Sequence, residues 1–310
     1  MSGSRATIAR LTRRAAIAST VVAVLLIVLK VVATAKTGSV AMLGSLADSA
    51  LDLLASLITL FAVKVAATPA DDQHRFGHGK AEAIAALMQT GIILVSAAGI
   101  GLRAVDRFIH PQPVVAPEMG VGVSLVAIVA TLLLVLYQRM VVQRTRSIAI
   151  RTDQLHYQSD LLLNSSVIAA LVIEAWAGLH GADALFGIGI ALYLAWGAVR
   201  AASHALDMLM DKEWPAARRR QVIDIVEAHP QVRGLHELRT RSSGADEFIQ
   251  FHIWVDADMT VAAAHKVADA VEDALARAFP QADILIHVDP EGHRERRRRA
   301  LDAPETEAAP

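Results

Sequence analysis

Apolar and polar positions along this chain alternate first in long blocks and then in short ones. Six runs, at 15–35, 40–63, 83–102, 121–137, 161–179 and 184–199, are almost wholly apolar. Each approaches the roughly 20 residues that a helix needs to cross a hydrocarbon core. After Asp211 the blocks shorten, and the pattern predicts helices over 215–229 and 261–279 and strands over 235–241, 247–256 and 283–288. Pro215 suits the first turn of a helix and Thr260 an N-cap. In the second strand Ile249, Phe251, Ile253 and Val255 alternate with Gln250, His252 and Trp254, so His252 faces away from the core. His287 and Asp289 share a face by the same period. The expected fold is an α-helical membrane protein with six transmembrane helices, followed by a C-terminal α+β domain in the order αββαβ, resembling half of a ferredoxin-like fold. The expected divisions are 1–210 for the membrane domain, 211–292 for the soluble domain and 293–310 for a charged, acidic-ended tail that reads as disordered.

Charge placement orients the spans. Arg5, Arg10, Arg13 and Arg14 precede the first, Lys64, Arg75 and Lys80 lie between the second and third, and Arg139, Arg144, Arg146 and Arg151 lie between the fourth and fifth. The link between the fifth and sixth has no Lys or Arg, whereas Lys36, Arg103 and Arg107 dilute the contrast. By the positive-inside rule both termini are cytoplasmic. Arg13 and Arg14 ahead of an apolar run, with Ala33-Thr34-Ala35 behind it, imitate a signal peptide. The run exceeds the usual length of about 7–15 residues for such a segment, so it reads as a retained span. Glycines and other small residues in the third and sixth spans, Gly91, Ser96, Gly99, Gly101, Gly187, Gly189 and Gly197 among them, read as helix-packing surfaces.

Composition sharpens this picture. Hydrophobic residues make up 54% of the 310 residues, above the share in ordinary soluble domains. A net charge of −1 gives no electrostatic footprint for a nucleic-acid partner. With no cysteine, disulfide frameworks and thiolate metal sites are excluded, so any metal is held by the 12 histidines and the carboxylates.

Four polar constellations stand out. Asp48 and Asp52 lie one turn apart in the second apolar run, on one helix face. A charge near the bilayer centre costs on the order of +2.5–3.5 kcal/mol, which makes each a functional candidate. The bland alternative is an ion pair with Lys30, Lys36 or Arg103. His156 and Asp160 repeat the i, i+4 spacing at the head of the fifth run, in the string HYQSD. Together the two pairs offer four N and O donors, enough for a tetrahedral cage around an ion such as Zn²⁺. Counted from the outer ends of their runs, Asp48 lies about 12 Å deep and Asp160 about 28 Å, whereas a shared ion needs the pairs level; helix tilt, a misplaced boundary or an aqueous cavity would absorb the gap. The link DDQHRFGHGK supplies Asp71, His74 and His78, with Gly77 and Gly79 free to turn the chain around them. The soluble domain carries His236, His252, His265, His287 and Asp289. For the link, an inert solvated hairpin is the bland reading, and for the soluble domain, scattered surface histidines.

Taken together, DSALD at 48–52, HRFGHGKAEAIAAL from His74, HYQSD from His156, LHELRTR from Leu235 and IHVDP from Ile286 resemble the motifs of the cation diffusion facilitator family, in matching order. The resemblance implies a homodimeric, proton-coupled exporter of Zn²⁺, Cd²⁺ or Fe²⁺ in the inner (plasma) membrane, a secondary active transporter and not an enzyme. It implies that Asp48, Asp52, His156 and Asp160 hold the transported ion, that Asp71, His74 and His78 form a loop site, and that His236, His252, His265, His287 and Asp289 form a binuclear cytoplasmic site. An intersubunit salt bridge would pair Lys80 with Asp211. Where some relatives carry a polar residue after the strand histidine this chain has Val288, which implies a poorer second cytoplasmic ion site. A membrane metal sensor would be expected to bring a signalling domain, which the pattern does not show. A metalloenzyme would need an open coordination position, and no HExxH motif is present.

Overall fold

A backbone in lipid must satisfy its own hydrogen bonds, which leaves the helix as the local solution for long apolar runs. The computed structural model describes residues 2–37, 40–110, 118–177 and 182–292, and its description of side chains excludes several positions near helix ends, Asp48 among them. The expected tail at 293–310 lies outside the described residues. Among the described residues six long helices come first: α1 (Ser2–Thr37), α2 (Val40–Ala66), α3 (Ala81–Ile109), α4 (Glu118–Thr145), α5 (Ile148–Ala177) and α6 (Ala182–Leu209). Five described stretches, in α1, α2, α3, α4 and α6, are long and apolar enough to cross a membrane. α5 matches them in length at 30 residues, and the apolar run placed at 161–179 continues past its described side chains.

The packing inverts the pattern of a soluble protein. Small side chains such as Ala15, Ala23, Ala55, Ala86, Ala149 and Ala198 are buried, while Leu25, Phe61, Val95, Leu102 and Leu192 point outward. Between apolar helices in an apolar solvent, close van der Waals approach rather than water exclusion drives association, and small residues permit it. α5 packs against α2, α3 and α4. α3 and α6 approach closely where a Cβ on Gly187 would stand 2.8 Å from that of Ala104 and one on Gly101 would stand 3.5 Å from that of Ala191. Gly91, Gly99 and Gly189, expected to share this packing, have open space beside them.

α5 begins 13 residues ahead of its apolar run, at Ile148 rather than 161. Thr152, Asp153, Gln154, His156 and Ser159 break the hydropathy of that stretch, yet all are buried against neighbouring helices. This longer helix also narrows the depth offset. Measured from Ala66 and Ile148, Asp52 lies 14 residues before the end of α2 and Asp160 lies 12 residues after the start of α5, about 21 and 18 Å along their helices. Asp52 and Asp160 are therefore level to within about 3 Å, whereas Asp48, 18 residues before Ala66, lies about 27 Å along its helix, about 9 Å from the level of Asp160.

The described residues from 207 to 292 belong to a second compact unit. It runs α7 (Ala216–Glu227), β1 (Gly234–Ser243), β2 (Asp246–Val255), α8 (Val261–Ala278) and β3 (Ala282–Pro290). β1 pairs antiparallel with β2, and β2 parallel with β3, in the order β1-β2-β3. One sheet face joins the helices in a core built on Val222, Val226, Ile249, Phe251, Ile253, Val267, Val271 and Leu275. The Thr260 hydroxyl accepts from the Ala263 N–H and caps α8, and Pro215 stands at the α7 N-cap. A register shift between His236 and Arg239, with Glu237 at φ 50°, bends β1.

Candidate metal sites

Antiparallel packing of α2 on α5 brings the intramembrane residues together. His156 Nε2 lies 3.0 Å from Asp52 Oδ1, with side chains only 5% and 13% exposed. Asp160 completes a trio whose ligand atoms all lie within 4.8 Å of one another. Asp48 is one turn ahead of Asp52 on α2, and its side chain is outside the description. Of the cations considered as bland partners, Lys30 donates from Nζ to Ser49 Oγ at 2.6 Å.

One turn from His156 towards the start of α5 lies a carboxylate that the sequence reading passed over. Asp153 is fully buried and accepts from Gln138 Nε2 at 2.7 Å and from Thr59 Oγ1 at 3.3 Å, with Gln89 Nε2 at 3.4 Å. Gln89 also donates to Thr59 and to the Ala55 carbonyl. The Tyr157 hydroxyl donates to the Ser19 carbonyl and shares a hydrogen bond with Ser56. These contacts tie α1 to α5 by Tyr157, and α2, α3 and α4 to α5 by Asp153, directly beneath the trio. The available signal was the presence of Gln89 and Gln138 in or beside apolar runs.

The loop between α2 and α3 folds round Asp71, which accepts from the backbone N–H groups of Gln73 at 2.9 Å and His74 at 2.6 Å. Gly77, at φ 77°, supplies the left-handed turn that returns His78 to the carboxylate. His74 Nδ1 then stands 3.4 Å from Asp71 Oδ1 and His78 Nε2 stands 3.5 Å from Asp71 Oδ2. The hydrogen bond from the His74 backbone, above all, holds the Asp71 carboxyl below its ordinary range. Asp71, His74 and His78 thus offer three ligand atoms within 4.8 Å.

In the second unit, strand register does the gathering. His236 is paired with His252, and His252 with His287, so three imidazoles stand in one rank across the sheet face opposite the core. Asp289, two residues on from His287, reaches all three: His252 Nδ1 at 2.9 Å, His287 Nε2 at 3.2 Å and His236 Nε2 at 3.3 Å. Burial alone would raise the Asp289 carboxyl, but the His252 hydrogen bond and the three imidazole charges outweigh it and hold it low. Burial and the neighbouring His252 push His236 below its ordinary value, against the pull of Asp289. Trp254 stacks on the His236 ring, with centroids 4.4 Å apart. His236 Nδ1 is buried without a hydrogen-bond partner among the described residues.

His265 is not part of this rank. It stands on α8, 77% exposed, beside Asp269 at 3.7 Å. Val288 is also placed differently from the expectation attached to it. Strand alternation turns its side chain onto the hydrophobic core, so a polar residue there would face away from the histidines and its absence removes no ligand from this sheet face. Asp211, expected to meet Lys80 across a subunit boundary, lies 3.4 Å from Arg241 within its own unit.

Residues 16–210 match the family model described as the cation efflux transmembrane domain, and 214–291 match that of the cation efflux protein cytoplasmic domain. The chain is 45% identical to the cation-efflux pump FieF of Salmonella agona (strain SL483) over 92% of its own length and 94% of that protein. It is 46% identical to FieF of Cronobacter sakazakii over 91% and 93% of the two chains. Among solved structures, the zinc form of CzrB is 35% identical, covering 28% of this chain and 99% of that one, with a TM-score of 0.26. An integral membrane protein with acidic and imidazole donors closed on one another between its helices, and matched along nearly its whole length by efflux pumps, belongs to the cation efflux (cation diffusion facilitator) family of transporters.

Proposed function

We propose that this protein exports Zn²⁺, and also Cd²⁺ and Fe²⁺, from the cytoplasm in exchange for protons, as a homodimer in the inner membrane with both termini cytoplasmic. The observation that carries the reading is the contact of His156 Nε2 with Asp52 Oδ1 at 3.0 Å, beside Asp160 and between two membrane helices. A nitrogen and a carboxylate oxygen at that distance share one proton, whichever of them holds it. A divalent ion needs both atoms as bare ligands, so loading it expels that proton. Metal and proton therefore compete for the same pair, which is the elementary requirement of exchange. Loaded, three carboxylates and one neutral imidazole leave the site near −1, and emptied of both metal and proton it would hold about three negative charges in a poorly solvated space. Like-charge repulsion and desolvation favour reprotonation.

The mechanism proposed is alternating access, which the placement of the site between packed helices supports. The ion enters the cage of Asp48, Asp52, His156 and Asp160 from the cytoplasm, and movement of the bundle opens it outside. Residues 1–210 would carry this transport function and 211–292 the metal-sensing and dimerising function, with Lys80 and Asp211 pairing across subunits. The cytoplasmic rank of His236, His252, His287 and Asp289, with His265 from α8, would hold regulatory metal, and Asp71, His74 and His78 would hold another ion at the loop.

Purified protein in proteoliposomes tests the proposal. Asp52→Ala should abolish zinc flux while leaving a folded dimer, because the site has no spare donor. Cd²⁺ should compete with Zn²⁺, since one imidazole and three carboxylates contain nothing that rejects it. An imposed proton gradient should accelerate wild-type flux, and His156→Ala should blunt that response. Near-normal flux in Asp52→Ala would remove the assignment, and flux independent of pH between about 6 and 8, where a free imidazole titrates, would leave a uniporter.

A further inference from the structure

The start of α5 and the end of α6 enclose a groove of about 250 Å³ that has no place in the transport pathway described above. α6 ends at Leu209, five residues before the cytoplasmic domain match begins, which assigns this end of the groove to the cytoplasmic surface. Its lining is sorted by depth. Arg151 on α5 and Arg200 and His204 on α6 stand towards the cytoplasmic end, while Leu155, Tyr193 and Trp196 lie about one to two turns deeper.

The basic rim is built rather than incidental. His204 Nδ1–H donates to the Arg200 carbonyl at 2.7 Å. The Arg200 guanidinium carbon sits 5.5 Å from the centre of the Trp196 ring, within range of a cation–π contact. Among the described residues no Asp or Glu lines the groove, and neither Arg151 nor Arg200 pairs with a carboxylate. The floor is closed by helix contact, since a Cβ on Gly197 would stand 3.1 Å from the Leu155 side chain.

Two unpaired guanidinium groups repel a divalent cation, so the groove is not an ion entrance. They attract a phosphate, for which a planar, permanently charged guanidinium is the preferred donor. The deeper wall is mostly apolar, with Gln158 of α5 as a neutral polar member, and Tyr193 and Trp196 are 41% and 60% exposed on the lipid-facing side of a membrane helix. Rings with an apolar body and a polar edge are the usual residents of the headgroup boundary. A ligand that satisfies both halves has an anionic head and an apolar tail.

We propose that this groove binds one anionic phospholipid of the cytoplasmic leaflet, with its phosphodiester between Arg151 and Arg200 and its glycerol and upper acyl chain against Leu155, Tyr193 and Trp196. Basic pockets between helices on the cytoplasmic side take such headgroups in other membrane proteins. Because α5 also carries His156 and Asp160, the lipid braces the helix that holds half of the transport site against α6.

Native mass spectrometry and thermal unfolding of the full-length protein in a neutral detergent, titrated separately with phosphatidylglycerol, phosphatidylcholine and inorganic phosphate, test this. Phosphatidylglycerol should give a saturable one-per-subunit adduct and raise Tm, with phosphatidylcholine and phosphate doing neither. Arg151→Gln with Arg200→Gln should weaken phosphatidylglycerol binding at least about tenfold. Arg139→Gln with Arg144→Gln, which removes the same charge from exposed positions on α4, should change it little. Equal binding by the Arg151/Arg200 variant, with its unliganded Tm intact, would overturn the site. An equal loss in the α4 variant would reduce the effect to general surface charge, and an equal response to inorganic phosphate would make it a free-anion site; either result rules out the lipid assignment. Should the double glutamine variant fail to fold, Arg151→Lys with Arg200→Lys keeps the charge but loses the planar fork. It should still weaken binding severalfold, and unchanged binding there would also reject the proposed geometry.

Discussion

A carboxylate inside lipid-spanning helices persists only where other groups satisfy it, and Asp153 shows how that happens without a cation. Its oxygens accept from neutral side chains of α2 and α4, with Gln89 of α3 close by. No spacing rule singled it out, because its partners lie 15 to 94 residues away in sequence. Asp52 and His156 were legible for the opposite reason: each repeats with a second candidate donor at i, i+4, a period that the helix itself imposes. In the soluble unit His287 and Asp289 were legible from strand alternation, while the alignment of His236 with His252 and His287 is a matter of register, which one strand's sequence does not specify. That rank has a titration consequence in the metal-free state. His236 is held below its ordinary 6.5, so folding favours its neutral form. The stability this contributes is present above about 6.5 and is lost as pH falls through the lower, folded value. Asp289 is held below 3.8, so its contribution is present above that value and disappears only in stronger acid. Denaturation of the chelator-treated 211–290 segment should therefore show stability falling as pH drops below about 6.5. His236→Gln should flatten the first part of that fall, and identical pH profiles for the two proteins would show that the folded environment does not disfavour the imidazolium.

At the scale of elements, helices with clean apolar periods were legible and α5 was legible only in its outer part. Its first three turns are polar in composition but buried by neighbours, and burial of that kind cannot be read from hydropathy. What starts α5 is a long-range cap. Glu82 in the first turn of α3 accepts from Ser147 Oγ at 2.7 Å and from the Ile148 N–H at 3.1 Å, placing a carboxylate at the positive end of α5. The same first turn of α3 follows His78 and Lys80 directly, so the loop that holds Asp71, His74 and His78 and the helix that holds His156 meet at one side chain. Glu82→Ala removes an acceptor that two buried donors share, which should cost about 1–2 kcal/mol by analogy with lost N-caps. Glu82→Gln keeps an oxygen in place and should lose less. Thermal unfolding in detergent would order the three proteins wild type, Gln, Ala, and an alanine variant as stable as the wild type would show that Ser147 and Ile148 find other partners.

At the scale of the molecule, the division into a lipid-spanning part and a sheet-bearing part was legible from block length alone, and the family from five short strings in order. The levelling of Asp52 with Asp160 was not, because it depends on where α2 ends and α5 begins. Nor was the isolation of His265, which requires knowing that α8 packs on the core face of the sheet while the histidine rank lies on the other. That isolation bears on assembly. One subunit presents His236, His252, His287 and Asp289 together, and presents His265 at 77% exposure on a separate surface. A site that uses all five is completed most simply by His265 of a second copy, in which case metal affinity and dimer affinity are one linked equilibrium. Metal bound only to the dimer stabilises it by mass action. The 211–290 segment should accordingly dimerise at least about tenfold more tightly with saturating Zn²⁺ than with chelator. His287→Ala should weaken both zinc binding and the zinc-dependent part of dimerisation, because it removes a ligand held by Asp289. His265→Ala should leave the affinity of the chelated dimer unchanged and reduce only the increment that zinc adds. Sedimentation that gives one dimer affinity with and without metal would separate the cytoplasmic cluster from assembly. A zinc increment that survives His265→Ala undiminished would confine the ion to the four ligands of a single subunit.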